Sequence, residues 1–205
     1  PPKGWLMAEK FDGFRALFLY EIINGEPVGK FYSRNNKPFN APDWFIESMP
    51  PYNLLQGKIL DGELWAGRDN FQNMGPVRKK IPIPEEWLSI QYQVYDVIGE
   101  NIPFVQRLKD LKKIVNFTKK AWKIRLKNEE FYLPNEETLE PPLIFAQQTK
   151  IKSEKMMREY YQNIIDNGGE GIIIKHPESL YENGRSSYML KVKPAFDREC
   201  IIIDH

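Results

Sequence analysis

The stretch Ala8-Glu9-Lys10-Phe11-Asp12-Gly13-Phe14-Arg15 places a lysine two residues before an Asp-Gly pair and five before an arginine. A lysine amine attacks phosphorus or carbonyl centres only when it is neutral, so a nucleophilic lysine needs burial or nearby cations to lower its ordinary pKa of about 10.4. Gly13 permits a turn, and Arg15 offers a planar guanidinium to ribose hydroxyls or phosphate. A surface lysine beside a turn between strands explains these residues equally well, so the rest of the chain must decide.

Four later strings follow this stretch in a fixed order. They are Leu60-Asp61-Gly62-Glu63-Leu64-Trp65, Tyr92-Gln93-Val94-Tyr95-Asp96-Val97, Glu170-Gly171-Ile172-Ile173-Ile174-Lys175 and Leu190-Lys191-Val192-Lys193. In order and spacing the five strings resemble the motifs of the covalent nucleotidyltransferase superfamily of ATP-dependent DNA ligases, RNA ligases and mRNA capping guanylyltransferases. Further strings at 33–38, 64–68 and 180–187 resemble the small ATP-dependent DNA ligases of viruses and bacteria. The resemblance extends from Trp5 to about Asp204.

The resemblance implies an α+β fold in which helices flank antiparallel sheets, an ATP-grasp-like covalent nucleotidyltransferase domain. It implies an adenylation domain over residues 1–196. Residues 197–205 resemble a linker and the start of the OB-fold domain that follows in ligases, whose remainder is missing here. We expect the first chemical step to be slow without that domain, because its basic groups would orient the pyrophosphate leaving group.

Length and composition fit one compact catalytic domain. A chain of 205 residues, 41% of them hydrophobic, can bury roughly 70% of the surface that it exposes when unfolded. The net charge of +1 argues against a uniformly basic nucleic-acid binder, so contact with DNA would use local patches. Cys200 has no partner for an internal disulfide, and neither a signal peptide nor a membrane-spanning run is visible. We expect an intracellular monomer, cytoplasmic or nuclear, with no membrane partner.

The region from Arg107 to Lys127 is the main basic patch. Its apolar residues Leu108, Leu111, Val115 and Trp122 recur with a helical period, which predicts an amphipathic helix with most of its lysines on the other face. That basic face is either solvated surface or a contributor to phosphate binding.

Local signals predict the remaining elements. Asn24-Gly25 is a strong hairpin signal between strands at 14–23 and 29–33. Asn40 is predicted to cap a short helix, and Ser153 to begin a longer one that stops at Gly168-Gly169. Further strands are predicted at 58–65, 89–97, 171–175 and 188–193, with an exposed loop at 128–142.

Three acids are candidates for the nucleotide and a metal. Asp61 and Glu63 are two residues apart, so on a strand their carboxylates face the same side. The resemblance implies that Glu63 contacts the ribose, that Asp61 organises the nearby site, and that Glu170 binds a divalent metal, with Asp61 and Glu63 as further candidate ligands. Hard carboxylate oxygens suit Mg²⁺ or Mn²⁺. Solvated acids at a strand edge or a helix exit are the alternative.

Lys191 and Lys193 share one face of a predicted strand and would form a pair of ammonium groups for the nucleotide phosphates. The resemblance places Lys191 near the reacting centre, where it would stabilise developing charge and favour the neutral form of Lys10. It places Tyr95 against the purine, although core packing is an alternative role. Lysines on surface strands are also common.

Two arginines and one acid complete the candidate set. Arg34 and Arg185 match arginines that small viral ligases present to the nucleotide and to the 5'-phosphate region of a nick. Related ligases often carry a polar side chain two residues before the lysine that reads the adenine amino group, and Ala8 cannot do so. Adenine recognition is then left to backbone groups at 7–9 or to Glu9.

The reaction implied by the resemblance has three steps and uses ATP, a divalent metal and nicked double-stranded DNA. Lys10 attacks the α-phosphate of ATP, AMP passes to the 5'-phosphate of the nick, and the 3'-hydroxyl displaces AMP and seals the strand. An mRNA capping guanylyltransferase or an RNA ligase is the alternative enzyme. A noncatalytic module that binds DNA ends is the alternative from another class.

Overall fold

Two β-sheets and their flanking helices carry the part of the chain that the computed structural model describes, residues 3–99, 101–128, 133–134 and 140–195. The expected α+β class is confirmed. The predicted linker and OB-fold strand at 197–205, and Cys200 within it, lie outside the described residues.

The larger sheet has six strands in the order β4-β3-β2-β5-β6-β7. These are β2 (Phe14–Ile23), β3 (Glu26–Ser33), β4 (Pro38–Phe39), β5 (Ile59–Trp65), β6 (Gln91–Ile98) and β7 (Leu143–Phe145). The predicted hairpin joins β2 to β3 through Asn24 and Gly25, whose φ angles of 52° and 86° are those of a two-residue primed turn. The expected antiparallel pairing holds throughout this sheet except at one edge, where β7 pairs with β6 in parallel.

The smaller sheet has four antiparallel strands in the order β10-β9-β1-β8. These are β1 (Leu6–Glu9), β8 (Thr149–Lys150), β9 (Ile172–Lys175) and β10 (Met189–Val192). The strand β1, which leads into Lys10, is therefore central and hydrogen-bonded on both sides. This placement fixes the backbone immediately before the candidate nucleophile.

Four α-helices lie in the described residues: α1 (Asp43–Glu47), α2 (Tyr52–Leu55), α3 (Phe104–Lys127) and α4 (Glu154–Asp166), with 3₁₀ helices at Phe71–Arg78 and Pro84–Ser89. The cap predicted for α4 is confirmed, because the Ser153 hydroxyl accepts a hydrogen bond from the Met156 amide at 3.2 Å. The cap predicted at Asn40 is wrong. The N-cap position of α1 is Pro42, and the Asn40 side chain donates instead to the distant carbonyl of Lys80 at 2.7 Å.

Each sheet has its own core. The larger core is rich in aromatic residues, and Phe31 lies at its centre against Phe18, Phe45 and Tyr92. The apolar stripe of α3 packs into it through Leu111, Ile114, Val115 and Trp122. The smaller core, beneath β1 and β9, contains Met7, Ile151, Ile164, Ile172 and Ile174. Burial of these apolar surfaces holds both sheets rigid on either side of the site.

Candidate active site

A cleft of about 650 Å³ opens where the two sheets meet, and residues from both sheets line it. Most of the candidate residues identified in the sequence reach this cleft: Glu9, Lys10, Arg15, Arg34, Asp61, Glu63, Tyr95 and Lys191. Glu170 lines an adjoining cavity of about 220 Å³, which shares Glu9 and Lys10 with the cleft. The convergence depends on pairing between strands that are far apart in sequence.

Lys10 lies at the junction of the two cavities. Its amide donates to the carbonyl of Gly171 at 2.9 Å, so the start of β9 fixes its backbone. Its ammonium forms an ion pair with the carboxylate of Glu170, and both side chains remain partly open to solvent. Burial and the charge of Glu170 raise the pKa of the neighbouring Asp12, while Lys10 opposes the rise. A cation and two acids thus meet at the point from which a nucleophile would enter the cleft.

Gly171 makes this approach possible. Its φ is +152°, and a Cβ there would lie 2.1 Å from the carbonyl oxygen of Val192. Only glycine therefore lets β9 and β10 come together directly behind Glu170. The close contact fixes the segment that carries Glu170 relative to β10, which carries Lys191.

Glu63 points into the cleft from β5, opposite Arg15 of β2. Burial, with smaller contributions from Asp61 and Glu170, raises its pKa to about 8, against the opposing effects of Lys10 and Arg15. Its carboxylate forms no hydrogen bond or ion pair with any residue that the structure describes. With a pKa of about 8 this partly buried group is mainly protonated at pH 7, and a bound cation would favour its carboxylate form.

Asp61 is buried and fully engaged within the protein. Its two oxygens accept hydrogen bonds from Nε and Nη2 of Arg15 at 3.0 and 2.7 Å, and Tyr181 donates to Oδ2 at 2.8 Å. The carboxylate of Asp61 raises the pKa of Arg15 by accepting these bonds. Asp61 thereby holds the Arg15 guanidinium against the cleft wall, which fits the organising role expected of it.

The three acids expected at a metal do not form one cluster. No group of three or more His, Cys, Asp or Glu side chains within the described ranges is placed to hold a metal ion. Asp61 is occupied by Arg15 and Tyr181, whereas Glu63 and Glu170 face the region around Lys10. Any metal at this site would need part of its coordination from a bound phosphate or from water.

Comparison with known proteins identifies the family of the chain. Residues 1–193 match the family model described as ATP dependent DNA ligase domain. The chain belongs to this family. A DNA ligase of Haemophilus influenzae is 27% identical over 205 residues, which are all of this chain and 63% of that protein. A DNA ligase of Thermococcus fumicolans is 29% identical over 95% of this chain and 33% of its own length. The chain thus spans less than two thirds of these relatives.

Solved ligase structures share the fold. One from a structure-function analysis of Lig E DNA ligases has a TM-score of 0.67 and 26% identity, over 93% of this chain and 62% of that one. A Chlorella virus DNA ligase-adenylate has a TM-score of 0.65 with 19% identity, over 94% of this chain and 63% of the viral one. The bacteriophage T7 ligase in complex with ATP gives 0.64 and 20%, over 93% and 62%.

Two candidate residues of the ligase domain line neither the cleft nor the adjoining cavity. Lys193 follows the last residue of β10, and only Lys191 of the expected pair lines the cleft, although both residues are exposed. Arg185 is also exposed, although its neighbours Gly184 and Ser186 line the cleft, which places Arg185 at the rim. Tyr95 does line it, and its hydroxyl donates to the carbonyl of Gly62 at 3.2 Å.

A buried charge network beside the cleft of the ligase domain was not predicted from the sequence. Arg107 is 1% exposed, so its assignment to the basic surface is wrong. Its guanidinium donates to both oxygens of Asp96 at 2.7 and 3.1 Å, and Lys175 reaches Oδ2 at 2.7 Å. Asp96 lies inside the Tyr92–Val97 motif, and that position is the one signal that could have drawn attention to it.

A second ion pair that was not predicted from the sequence holds the side chain of Glu9. Arg68 donates to both oxygens of the Glu9 carboxylate, at 2.7 and 2.9 Å. The acid that the sequence left as a possible adenine reader is therefore bound within the protein. The Glu9 side chain is thus not available to read a base.

Proposed function

We propose that this domain performs the adenylation chemistry of an ATP-dependent DNA ligase, with Lys10 as the covalent attachment point for AMP. The observation that carries the proposal is the position of Lys10, ion-paired with Glu170 at the mouth of a cleft that also holds Glu63 and Lys191. Membership of the ATP-dependent DNA ligase domain family supports it. ATP is the proposed nucleotide.

In the first step the Nζ of Lys10 attacks the α-phosphorus of ATP. A P–N bond forms, the bond from phosphorus to the bridging oxygen breaks, and pyrophosphate leaves with that electron pair. Before the attack, the Lys10 ammonium gives one proton to the Glu170 carboxylate that it contacts, which passes it to solvent. The second proton leaves the nitrogen for solvent as the P–N bond forms. Lys191 and Arg34 balance the charge that develops on the phosphates, because both present cations to the same cleft.

The nucleotide is proposed to lie with its base against Tyr95 and its ribose near Glu63 and Arg15. Glu63 and Glu170 are the acids that would hold Mg²⁺ or Mn²⁺. They fit such an ion, because the Glu63 carboxyl group has no partner among the described residues and a bound cation would offset the burial that raises its pKa. The ion would supply positive charge to the phosphates.

The second and third steps require DNA. AMP would pass from Lys10 to the 5'-phosphate of a nick in double-stranded DNA, and the 3'-hydroxyl would then attack that phosphate and release AMP. Arg185 at the rim is positioned to meet a phosphate arriving from outside the cleft. An OB-fold domain following residue 196 would assist by orienting pyrophosphate in the first step.

We place the domain in an intracellular monomer, cytoplasmic or nuclear. Among the described residues, no helix is both long and apolar enough to cross a membrane.

Labelled nucleotides test the proposed function directly. The chain is incubated with Mg²⁺ and with ATP or GTP labelled in the α-phosphate, beside Lys10→Ala and the exposed-lysine control Lys3→Ala. We expect an acid-labile, base-stable adduct from ATP in the wild type and the control, and none in Lys10→Ala. An adduct from GTP alone would instead support a capping enzyme, and no adduct from either nucleotide would support a noncatalytic module. Sealing of a nick that already carries 5'-AMP tests the DNA steps separately.

A further inference from the structure

A row of four side chains crosses the smaller sheet along one wall of the cleft. Lys191 of β10 pairs with Ile173 of β9, and Ile173 pairs with Ala8 of β1. On the other side of β1, Met7 pairs with Thr149, and extending this register by one residue sets Gln148, which directly precedes β8, beside Ala8. Residues directly opposite one another in antiparallel strands present their side chains on one face, and all four line the cleft.

The side chains along this row follow the order of the parts of a nucleotide that they could contact. Lys191 provides a cation at one end, Ile173 and Ala8 provide an apolar middle, and Gln148 provides a carboxamide at the other end. Three strand spacings separate the ends by about 14 Å, which leaves room for phosphate at one end and a base at the other. A base at the Gln148 end would have its polar edge beside the carboxamide.

Two polar side chains near the Gln148 end of the row already have hydrogen-bond partners within the protein. The Glu9 carboxylate is held at both oxygens by Arg68, and the Lys175 ammonium by Asp96. Ala8 has no polar atom in its side chain. At this end of the row, Gln148 is therefore the side chain that still offers a hydrogen-bonding atom.

The orientation of the Gln148 amide is set by its other contact. Its Nε2 donates to the carbonyl oxygen of Ala146 at 3.2 Å. A carbonyl accepts only from the nitrogen side of an amide, so this bond fixes which end is Oε1. Among the residues that the structure describes, none donates to Oε1. The site thus presents an acceptor without a donor.

We propose that Gln148 selects adenine, with its Oε1 accepting a hydrogen bond from the 6-amino group of the base. Guanine has an oxygen at that position, which would set an acceptor against an acceptor and leave both unsatisfied. The assignment rests on the proposed function, since it names the base-selecting side chain of the same nucleotide cleft. From the residue just before β8, it would also supply the polar group that Ala8 lacks on β1.

The test compares Gln148→Ala with Gln147→Ala, an exposed glutamine next in sequence that does not line the cleft. Each protein is given ATP, GTP and the triphosphate of purine riboside, which lacks the 6-amino group. Adduct formation and equilibrium binding are both measured. Preferences are ratios within one protein, so a partly misfolded fraction does not mimic the effect. If Gln148→Ala fails to fold, Gln148→Leu, which keeps the side-chain volume, replaces it.

We expect the wild type and Gln147→Ala to prefer ATP over purine riboside triphosphate by roughly 3- to 10-fold, the contribution of one neutral hydrogen bond. Gln148→Ala should lose this preference, and its ATP preference over GTP should fall by about 10-fold or more. Unchanged ratios in Gln148→Ala, or equal losses in Gln147→Ala, would overturn the assignment while leaving the adduct chemistry intact. A wild type that forms no adduct, yet shows the expected binding ratios, would overturn the proposed chemistry and support Gln148 as the base reader.

Discussion

The buried Glu63 carboxylate should make the stability of the domain depend on pH, and Glu63→Gln should remove that dependence. In the folded chain its pKa is about 8, against an ordinary value of 4.5. Between these two values the folded chain keeps a proton that the unfolded chain has lost. The contribution of Glu63 to the free energy of unfolding therefore falls as pH rises from about 4.5 to about 8 and is constant above that range.

The size of the effect follows from the displacement of the pKa. Each pKa unit corresponds to about 1.4 kcal/mol, so the raised pKa corresponds to roughly 3–5 kcal/mol between the two ends of the range. Glutamine has nearly the shape of a protonated glutamate but does not ionise. We expect the wild type and Glu63→Gln to agree within about 1 kcal/mol at pH 5, and the variant to be more stable by roughly 3–5 kcal/mol at pH 9.

Urea unfolding at several pH values between 5 and 9, with EDTA present, measures this difference. Taking the difference between two proteins cancels the contributions of other titrating groups, such as Asp12. Glu26→Gln, at an exposed position of β3, is the matched control and should track the wild type throughout. A stability difference between Glu63→Gln and wild type that stays constant across the range would refute the assignment of Glu63 as a buried acid opposed by its surroundings.

Three further predictions concern residues that line or support the site. Lys191→Ala should slow adduct formation by about 100-fold or more through loss of a cation in the cleft, whereas Lys155→Ala on exposed α4 should not; equal rates in label-transfer assays would contradict this. Asp96→Ala should lower the free energy of unfolding by about 3–5 kcal/mol, because Arg107 is left buried without its partner; a loss below about 1 kcal/mol in urea would argue against the network. Gly171→Ala should lower the free energy of unfolding by about 2 kcal/mol or more and abolish the adduct, because the added Cβ would clash with the Val192 carbonyl. A melting curve like that of the wild type would disprove the close contact.

Local features of the fold could be predicted from the sequence because their causes are local. The Asn24-Gly25 hairpin and the Ser153 cap depend on residues at most a few positions apart. Asn40 has the chemistry of a cap, yet its side chain satisfies the carbonyl of Lys80, 40 positions away. The side chain donates to a distant carbonyl and accepts no hydrogen bond from the first turn of α1, and no local pattern signals such a tertiary partner.

The same limit applies to the site. The motif strings could be identified individually, and the sheets bring most of their polar residues to one cleft. Arg107 was grouped with the basic surface because of its charge, although it lies four residues before Leu111 on the buried face of α3. Its buried partner, Asp96, lies on β6, and the sequence pattern of the helix carries no sign of it. Arg68 and Glu9 are 59 positions apart. The role proposed for Gln148 depends on the pairing of β8 with β1, because that pairing brings the residue before β8 close to Ala8.

The position of the adduct tests the central claim most directly. The chain is incubated with ATP and Mg²⁺, its intact mass is determined, and the product is cleaved to locate the modification. We predict a gain of one AMP per chain, carried by the peptide that contains Lys10 and absent from Lys10→Ala. An AMP found on another residue, or an unchanged mass under conditions in which ATP is bound, would contradict the assignment of Lys10 as the nucleophile.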